Sequence, residues 1–338
     1  MLKGGFVGVG RMGLTHMAIL NAQPNVMVAA AADKPSVISS FLKKHMGLNM
    51  FADYQSMLEQ VSLDFVVIST PSDSHAEIVE AALGKNLHIF VEKPFSLNPQ
   101  KGMELARIAE GKKLVNQVGY VTRFHELFVF VKRLLGESVI GEIKHFKAEM
   151  CGGTVIRDNK KAWRSEKNKG GGCMYDYASH CVDLVIYLFG KPDQTVGNVT
   201  QKIFSAHVED LVSSTFLYKR GFTGNILVTW SDASFRKPTT KVEILGEEGK
   251  IVVDKYSCKI YLNKDSEKHG FQKGWNILHI TDMVQSVNFY ARGNEYSRQL
   301  EYFIHSIETA LTDNIASFRE SVMTDFVLEE IRRESTER

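Results

Sequence analysis

A carboxylate and an imidazole lie four residues apart in a segment that begins with a cluster of glycines. The segment reads Gly170-Gly171-Gly172-Cys173-Met174-Tyr175-Asp176-Tyr177-Ala178-Ser179-His180. On an α-helix this spacing puts Asp176 and His180 on one face, where the carboxylate orients an imidazole that takes a proton from a hydroxyl group. Asp183 continues the face three residues further on. The pattern predicts a general base, and the alternative is an amphipathic helix with a surface acid and histidine.

A lysine follows a short apolar run in the first half of the chain. The run Ile89 to Glu92 predicts a strand, and the sequence continues with Lys93-Pro94. An ammonium group at the carboxyl edge of a parallel sheet polarises a substrate oxygen and supports a proton relay. Pro94 favours an extended conformation for Lys93 and allows a cis bond between the two residues. We predict that Lys93 is catalytic. We also predict that Glu92 and Lys93 approach the dinucleotide cofactor for which the glycine spacing described next is the evidence. The alternative is a surface lysine before a turn.

Three glycines after the first predicted strand have the spacing of a dinucleotide-binding turn. The sequence Gly8-Val9-Gly10-Arg11-Met12-Gly13 follows an apolar run and opens a helix. In such a turn Gly8 permits the tight bend, Gly10 lets the backbone approach a pyrophosphate, and Gly13 allows the helix to pack closely on the strand. The two residues between the second and third glycines complete the predicted phosphate site: Arg11 and Met12.

A carboxylate at the end of the second predicted strand bears on the choice of cofactor. Asp33 stands twenty residues beyond Gly13. At that position it accepts hydrogen bonds from the ribose hydroxyls of NAD and repels the additional phosphate of NADP. Lys34 follows immediately and offsets part of that repulsion, although a solvated charge at a turn explains this lysine more simply. NAD is therefore the predicted cofactor, and NADP stays open.

A third polar segment follows the predicted strand Phe65 to Ser69 and reads Thr70-Pro71-Ser72-Asp73-Ser74-His75. Ligands gather at the carboxyl edge of a parallel sheet, so Thr70, Pro71 and His75 are predicted to contact the cofactor. We also expect Asp73 or Ser74 to cap the next helix and His75 to lie in its first turn.

The hydrophobic pattern supplies the elements that hold these residues. Up to about Gly119, short β-branched runs alternate with longer amphipathic stretches, as in βαβ units on a parallel sheet. The predicted strands are Phe6 to Val9, Val26 to Ala32, Phe65 to Ser69, Ile89 to Glu92 and Leu114 to Val118. The predicted helices are Met12 to Ala22, Ser36 to His45, Ser74 to Lys85 and Asn98 to Ala109, the last with Pro99 in its first turn. This α/β pattern indicates a doubly wound domain over residues 1–120.

The pattern changes to longer alternating segments beyond Tyr120. The predicted strands are Glu142 to Met150, Leu211 to Tyr218, Gly224 to Trp230, Val242 to Leu245 and Lys250 to Val253. The predicted helices are Glu126 to Leu135, Tyr175 to Phe189, Glu301 to Leu311 and Met323 to Arg332. Residues 121–338 therefore predict an α+β domain with a mainly antiparallel sheet.

Composition excludes several classes of protein. The 338 residues carry 41 basic and 39 acidic side chains, and a net charge of +2 argues against general nucleic-acid binding. The four cysteines show no paired spacing, so we expect reduced thiols, and Cys173, His180 and Cys181 do not have the spacing of a metal site. No signal peptide and no membrane helix are expected, because Phe6 already enters a strand and no run reaches roughly 20 apolar residues. The expected location is the cytoplasm.

Together the motifs resemble the glucose-fructose oxidoreductase, inositol dehydrogenase and rhizopine-catabolism family (Gfo/Idh/MocA). The resemblance spans most of the chain and includes Trp163-Arg164 before the glycine cluster and Gly246 and Gly249 in a late hairpin. It implies an NAD(P)-binding Rossmann domain and a second domain with an open antiparallel sheet for substrate binding and oligomerisation, with the active site between them. It also implies that Lys93 is the catalytic lysine, His180 the proton acceptor and Asp176 its partner. The residues expected to bind substrate are Tyr120, Arg123, Trp163, Arg164, Asp176 and His180, with interdomain packing as the alternative for the first two.

The predicted function is reversible oxidation of a secondary alcohol on a sugar or cyclitol ring, with NAD as hydride acceptor, by a homodimer or homotetramer. Six basic residues between Arg157 and Lys169 face only Asp158 and Glu166, which keeps a sugar-phosphate or nucleotide-sugar substrate open, although a solvated basic loop explains these charges more simply. Cleavage of glycosides with recycling of bound NAD also stays open. A cofactor-sensing protein without catalysis is a further alternative, but the spacing of Lys93, Asp176 and His180 argues against it.

Overall fold

The chain forms two units in the computed structural model, which describes residues 1–153, 163–283 and 285–337. The first unit comprises Met1–Val121 and Ser286–Val322, and the second comprises Thr122–Gln285 and Met323–Arg338. The domain predicted over residues 121–338 is therefore discontinuous, because the segment Ser286–Val322 packs with the first unit. No helix within the described ranges combines the length and the apolar character needed to cross a membrane.

The first unit contains a six-stranded parallel sheet. Its strands are β1 (Leu2–Val7), β2 (Val26–Ala32), β3 (Met50–Phe51), β4 (Phe65–Ile68), β5 (His88–Val91) and β6 (Asn116–Val118). All four side chains of β4 are buried, as expected for a parallel strand covered on both faces. The spatial order β3-β2-β1-β4-β5-β6 is that of a doubly wound dinucleotide-binding domain, so the predicted α/β fold is confirmed.

Six helices of the first unit connect or cover these strands. They are α1 (Arg11–Asn21), α2 (Val37–Met46), α3 (Tyr54–Gln60), α4 (His75–Gly84), α5 (Pro99–Gly111) and α8 (Asn294–Glu308). Asn98 caps α5 through Lys101 N–H, and Pro99 stands in the first turn as predicted. Phe303 of α8 contacts Phe65 and Phe90 edge-on at centroid distances of 5.8 and 5.9 Å. Burial of this apolar face explains why the late segment joins the first unit.

The second unit is built on a nine-stranded sheet. Its strands are β7 (Ile143–Cys151), β8 (Gln194–Gln201), β9 (Leu211–Leu217), β10 (Thr223–Thr229), β11 (Thr239–Gly246), β12 (Gly249–Val253), β13 (Ser257–Leu262), β14 (Gly274–His279) and β15 (Thr336–Glu337). The order is β14-β13-β12-β11-β7-β10-β9-β8-β15. Pairing is antiparallel except between β7 and β10 and between β8 and β15, which confirms the open, mainly antiparallel sheet.

Helices of the second unit bury one face of this sheet. They are α6 (Glu126–Gly136), a π-helix (Met174–Ala178), α7 (Ser179–Phe189) and α9 (Phe318–Glu334), the first residues of which belong to the first unit. Buried and half-buried residues alternate along β9 to β11, as in a sheet with one packed face. The helix predicted as Tyr175 to Phe189 is thus a π-turn followed by an α-helix. Asp176 lies in the π-turn.

Candidate functional site

The glycine turn of the first unit has the conformation that dinucleotide binding requires. Gly8 has φ +90°, and a Cβ there would lie 2.8 Å from the carbonyl oxygen of Ser69. A Cβ on Gly13 would lie 2.0 Å from the oxygen of Gly8, so this glycine allows α1 to pack against the end of β1. A Cβ on Gly10 would meet no atom within 4 Å, and the first turn of α1 has neither a side-chain cap nor an acidic residue. The uncapped N–H groups fit a pyrophosphate.

The carboxylate of Asp33 is held beside this turn. Its Oδ2 accepts the N–H of Val9 at 2.8 Å, and its Oδ1 accepts the N–H of Lys34 at 2.7 Å. Each carboxylate oxygen retains capacity for another hydrogen bond, such as one from a ribose hydroxyl. The side chains of Lys34 and Arg11 are exposed and that of Met12 is half-buried, so all three remain accessible as predicted cofactor contacts.

His75 joins the loops that follow β4 and β5. Its ring is fully buried, with Nδ1 2.8 Å from the Pro94 oxygen and Nε2 3.0 Å from the Thr70 oxygen. Burial lowers the pKa of His75 against the opposing effect of these carbonyls. With no exposed surface, this ring supports a role in holding the loops rather than direct contact with a cofactor. Thr70 is half-buried and Pro71 exposed at the carboxyl edge of the sheet.

The expectation that Asp73 or Ser74 caps α4 is wrong. Ser74 occupies the N-cap position, but its hydroxyl lies 2.8 Å from both Thr70 Oγ1 and the Pro71 oxygen and makes no cap hydrogen bond. A short 3-10 turn, Ser72–Ser74, leads directly into the helix, and the Ser74 hydroxyl is directed toward the residues before that turn. His75 does lie in the first turn, as expected.

Lys93 follows β5 next to a buried acid and imidazole. Glu92 Oε1 lies 2.7 Å from Nε2 of His16, and its Oε2 accepts the backbone N–H of Lys93 at 3.2 Å. The side chains of Glu92 and His16 are 13% and 0% exposed. Burial acts to raise the pKa of Glu92, but the hydrogen bond and charge of His16, with Lys93, hold it below its ordinary value. The Lys93–Pro94 peptide bond is cis.

Sequence reasoning missed His16. The available signal was its position three residues after Gly13 on the same helix, which directs it toward the sheet with that glycine. Gly119 provides room on the other side of the acid, because a Cβ there would come within 3.3 Å of the Glu92 carboxylate. The carboxylate is thus enclosed by residues of three elements and is fixed against the backbone of Lys93.

Asp176 forms an ion pair with Arg164. Its Oδ2 accepts a hydrogen bond from Arg164 Nε at 2.7 Å. Asp176 lies in the π-helix and His180 in the first turn of α7, and the predicted pairing of the two side chains stays a prediction. His180 is half-buried. Arg164, predicted to bind substrate, therefore positions the carboxylate expected to assist the base.

The glycine cluster lets the loop before the π-helix approach its neighbours. Gly172 has φ +105°, and a Cβ there would lie 2.2 Å from Glu209 Oε1. That same oxygen accepts the N–H of Met174 at 2.8 Å, so Glu209 caps the π-turn. The sequence did not point to Glu209, since no local pattern links it to a segment 35 residues earlier.

Arg123 and Asp183 form a buried ion pair in the second unit. Nε of Arg123 lies 2.9 Å from Asp183 Oδ2 and Nη2 lies 2.7 Å from Oδ1, with exposures of 2% and 0%. Thr324 adds a hydroxyl contact to Oδ1 at 3.2 Å. This pair lies within the second unit and engages the Arg123 guanidinium with Asp183, while a substrate contact of Arg123 stays a prediction. Tyr120, in the first unit, is fully buried.

Much of the basic segment Arg157 to Lys169 lies outside the described residues, including Lys160 and Lys161, and nothing is described of the Trp163 side chain. Within the described part, Lys169 pairs with Glu166 at 2.7 Å.

Two family sequence models match the chain. One, described as "Oxidoreductase family, NAD-binding Rossmann fold", covers residues 2–120, and the other, "GFO/IDH/MocA C-terminal domain", covers residues 128–252. The fold, the glycine turn and these matches identify the class as an oxidoreductase family with an NAD-binding Rossmann fold. More particularly, the chain belongs to the Gfo/Idh/MocA family, as its motifs indicated.

Individual relatives agree with this assignment. The chain is 28% identical over 195 residues to the uncharacterized oxidoreductase YdgJ of Escherichia coli (strain K12), covering 56% of this chain and 54% of the relative. It is 26% identical over 167 residues to scyllo-inositol 2-dehydrogenase (NADP(+)) IolW of Bacillus subtilis (strain 168), covering 49% and 46%. The chain thus spans about half the length of these curated relatives. A solved structure of levoglucosan dehydrogenase in complex with NADH has the same fold, with a TM-score of 0.84 and 21% identity over 98% of this chain and 96% of that one.

Proposed function

We propose that the protein transfers a hydride between a nicotinamide cofactor and a secondary alcohol of a sugar, a cyclitol or a sugar derivative. The observation that carries the proposal is the fixed position of Lys93 at the carboxyl edge of a sheet whose glycine turn fits a dinucleotide. Glu92 binds the backbone N–H of Lys93 and the buried ring of His16, which orients the residue that bears the ammonium. Relatives named as dehydrogenases of scyllo-inositol and levoglucosan support the substrate class.

The proposed reaction separates the two hydrogens of the alcohol. A nicotinamide cofactor held by the glycine turn (Gly8, Gly10 and Gly13) and Asp33 would supply the acceptor for the hydride on the carbinol carbon, so that the alcohol is released as a carbonyl compound. The ammonium of Lys93 stabilises charge on the oxygen, while His180 accepts the hydroxyl proton. Arg164 orients Asp176 through its contact with Oδ2, and the negative charge of Asp176 would favour the imidazolium that forms at His180.

NAD is the proposed cofactor. The carboxylate of Asp33, fixed by two backbone N–H groups, fits ribose hydroxyls and would repel a 2′-phosphate. The exposed Lys34 and the NADP(+) in the name of the IolW relative keep NADP as the alternative. Turnover with the two cofactors at equal concentration distinguishes them, and a preference for NADP would overturn the NAD assignment.

The test of the function uses purified protein, NAD and a panel of inositols, pyranoses and anhydrosugars. We expect NADH formation on at least one polyol and a loss of about 10²- to 10⁴-fold in kcat for Lys93→Ala, with NADH binding retained. Lys44→Ala removes an exposed lysine of α2 in the same unit and is the matched control. Activity of Lys93→Ala within twofold of the wild type would refute the role of Lys93, and product formation without net NADH would favour a cofactor-recycling cleavage.

A homo-oligomer is proposed through the more exposed face of the nine-stranded sheet. Leu245, Lys250, Tyr261 and Trp275 oppose one another across four strands and therefore point to one face. Leu245, Trp275 and Ile277 are 50%, 55% and 53% exposed, which is unusual for side chains of this size. Light scattering should give a dimer or tetramer that Trp275→Glu dissociates, and a monomeric wild type would contradict the proposal.

A cytoplasmic location remains a proposal based on the unpaired spacing of the cysteines.

A further inference from the structure

We propose that a cavity in the second unit binds a small molecule that carries a phosphate or a carboxylate. The cavity has a volume of about 310 Å³, within the usual range for small-molecule sites. The glycine loop and the π-helix form one wall, the end of β8 and the residues after it form another, and the end of α9 completes it. The lining residues that the structure describes all belong to the second unit.

Three cations from separate parts of the chain line this cavity. Lys167 precedes the glycine cluster, Lys202 follows β8, and Arg332 lies in the last turn of α9. Among the described residues, the side chains of Lys202 and Arg332 form no hydrogen bond or ion pair. Bringing like charges together costs Coulomb energy, so two such cations at one cavity favour an anionic ligand.

The acid in the lining does not neutralise these cations. Glu209 directs Oε1 to the N–H of Met174 at 2.8 Å and is engaged in capping the π-helix. Burial raises the pKa of Glu209, which weakens its negative charge further, while Lys167 acts in the opposite direction. The cavity therefore keeps a positive balance at Lys202 and Arg332.

The cavity is lined by two residues of the π-helix that also carries Asp176. Met174 and Tyr175 line it and directly precede Asp176 in the π-helix. The anion is either the distal group of an anionic substrate or a separate ligand. Both sources share the same recognition chemistry, in which guanidinium and ammonium groups donate charge-assisted hydrogen bonds to oxygen.

Calorimetric titration with inorganic phosphate, at constant ionic strength and without cofactor or polyol, tests the site independently of the proposed activity. We expect saturable binding that weakens at least about tenfold in Lys202→Met and in Arg332→Met, the loss expected for one charge-assisted bond. Lys273→Met removes an exposed lysine beside β14, at the opposite end of the strand order, and should leave phosphate affinity unchanged. Glu209→Gln preserves an oxygen for Met174 N–H and should tighten binding about two- to fivefold.

Two results would overturn the proposal: absence of saturable phosphate binding by the wild type, or equal affinity in the Lys202, Arg332 and Lys273 variants. All three substituted cations are exposed, so unchanged melting temperatures will confirm that the variants fold. If phosphate competes with a phosphorylated or carboxylated substrate in turnover, the cavity holds that substrate's anionic group. If phosphate binds without changing the substrate KM, the ligand is a separate molecule.

Discussion

The acids beside the candidate catalytic residues are held by different partners in the two units. In the first unit, Glu92 is bound by the imidazole of His16 and by the backbone N–H of Lys93. In the second unit, Asp176 and Asp183 are each bound by a guanidinium. The first arrangement couples the acid to the residue that carries the ammonium, whereas the second compensates each acid with a full cation. Substitutions that break the contact between Glu92 and His16 should therefore lower kcat. Substitutions that break the buried pair of Asp183 and Arg123 should lower the free energy of unfolding.

The largest effect on folding is expected at Arg123. Arg123→Met leaves Asp183 buried without its cation and should lower the free energy of unfolding by about 3–5 kcal/mol, measured by urea denaturation. The double variant Arg123→Met/Asp183→Leu replaces the pair with apolar groups and should recover most of that loss. A loss below about 1 kcal/mol in the single variant would show that the pair is not buried as described.

A smaller loss is expected at the glycine turn. In Gly13→Ala the new methyl group meets the Gly8 carbonyl oxygen at 2.0 Å, and the backbone must shift at a cost of about 1–3 kcal/mol. NADH affinity, measured by fluorescence, should fall at least about tenfold, because the shift displaces the first N–H groups of α1. Gly84→Ala, in α4 with open space around its Cβ position, is the control and should retain affinity. Wild-type NADH affinity in Gly13→Ala would refute this account of the turn.

Substitution of His16 tests whether Glu92 acts on the reaction through Lys93. His16→Ala should lower kcat about tenfold, with little change in KM or NADH affinity, because Lys93 loses its fixed neighbour rather than its charge. His16→Gln offers an amide donor to Glu92 and should restore part of kcat. Equal effects on kcat and on NADH affinity, without rescue by glutamine, would indicate a purely structural role.

The destabilisation caused by His16→Ala should also depend on pH. Because the folded-state pKa of Glu92 is lowered, its contribution to stability is present above its ordinary value of 4.5 and is lost as pH falls through the folded pKa. Without His16, burial dominates and raises that pKa, so the contribution disappears. The destabilisation by His16→Ala, from urea denaturation at several pH values, should be larger at pH 7 than in the acid range. A destabilisation that does not change with pH would contradict the assigned cause.

The smallest effect is expected at Arg164. Its side chain is 31% exposed, so Arg164→Gln should change the free energy of unfolding by only about 0–1 kcal/mol. The kcat should nevertheless fall a few-fold, since Asp176 loses the group that orients it. Lys169→Gln breaks a neighbouring exposed pair with Glu166 and should leave kcat unchanged. Identical kcat values in Arg164→Gln and Lys169→Gln would show that Arg164 has no role in the reaction.

The first unit was more predictable because its signals are local. The three glycines constrain consecutive backbone positions, and the apolar runs of β2, β4 and β5 are short and continuous. The place of α8 was not predictable, because its amphipathic pattern shows that it packs but not on which sheet. In the second unit, the π-turn and the partners of Asp176 and Met174 arise from contacts between segments 12 and 35 residues apart, and spacing along one helix carries no information about them.

Deuterium transfer tests the central claim most directly. A polyol that the enzyme oxidises, labelled with deuterium on its carbinol carbon, is incubated with NAD and the wild type, and the NADH is analysed by mass spectrometry. Direct hydride transfer predicts one deuterium in the nicotinamide of each NADH formed and none released to water. Unlabelled NADH, or deuterium recovered in the solvent, would contradict the proposed reaction.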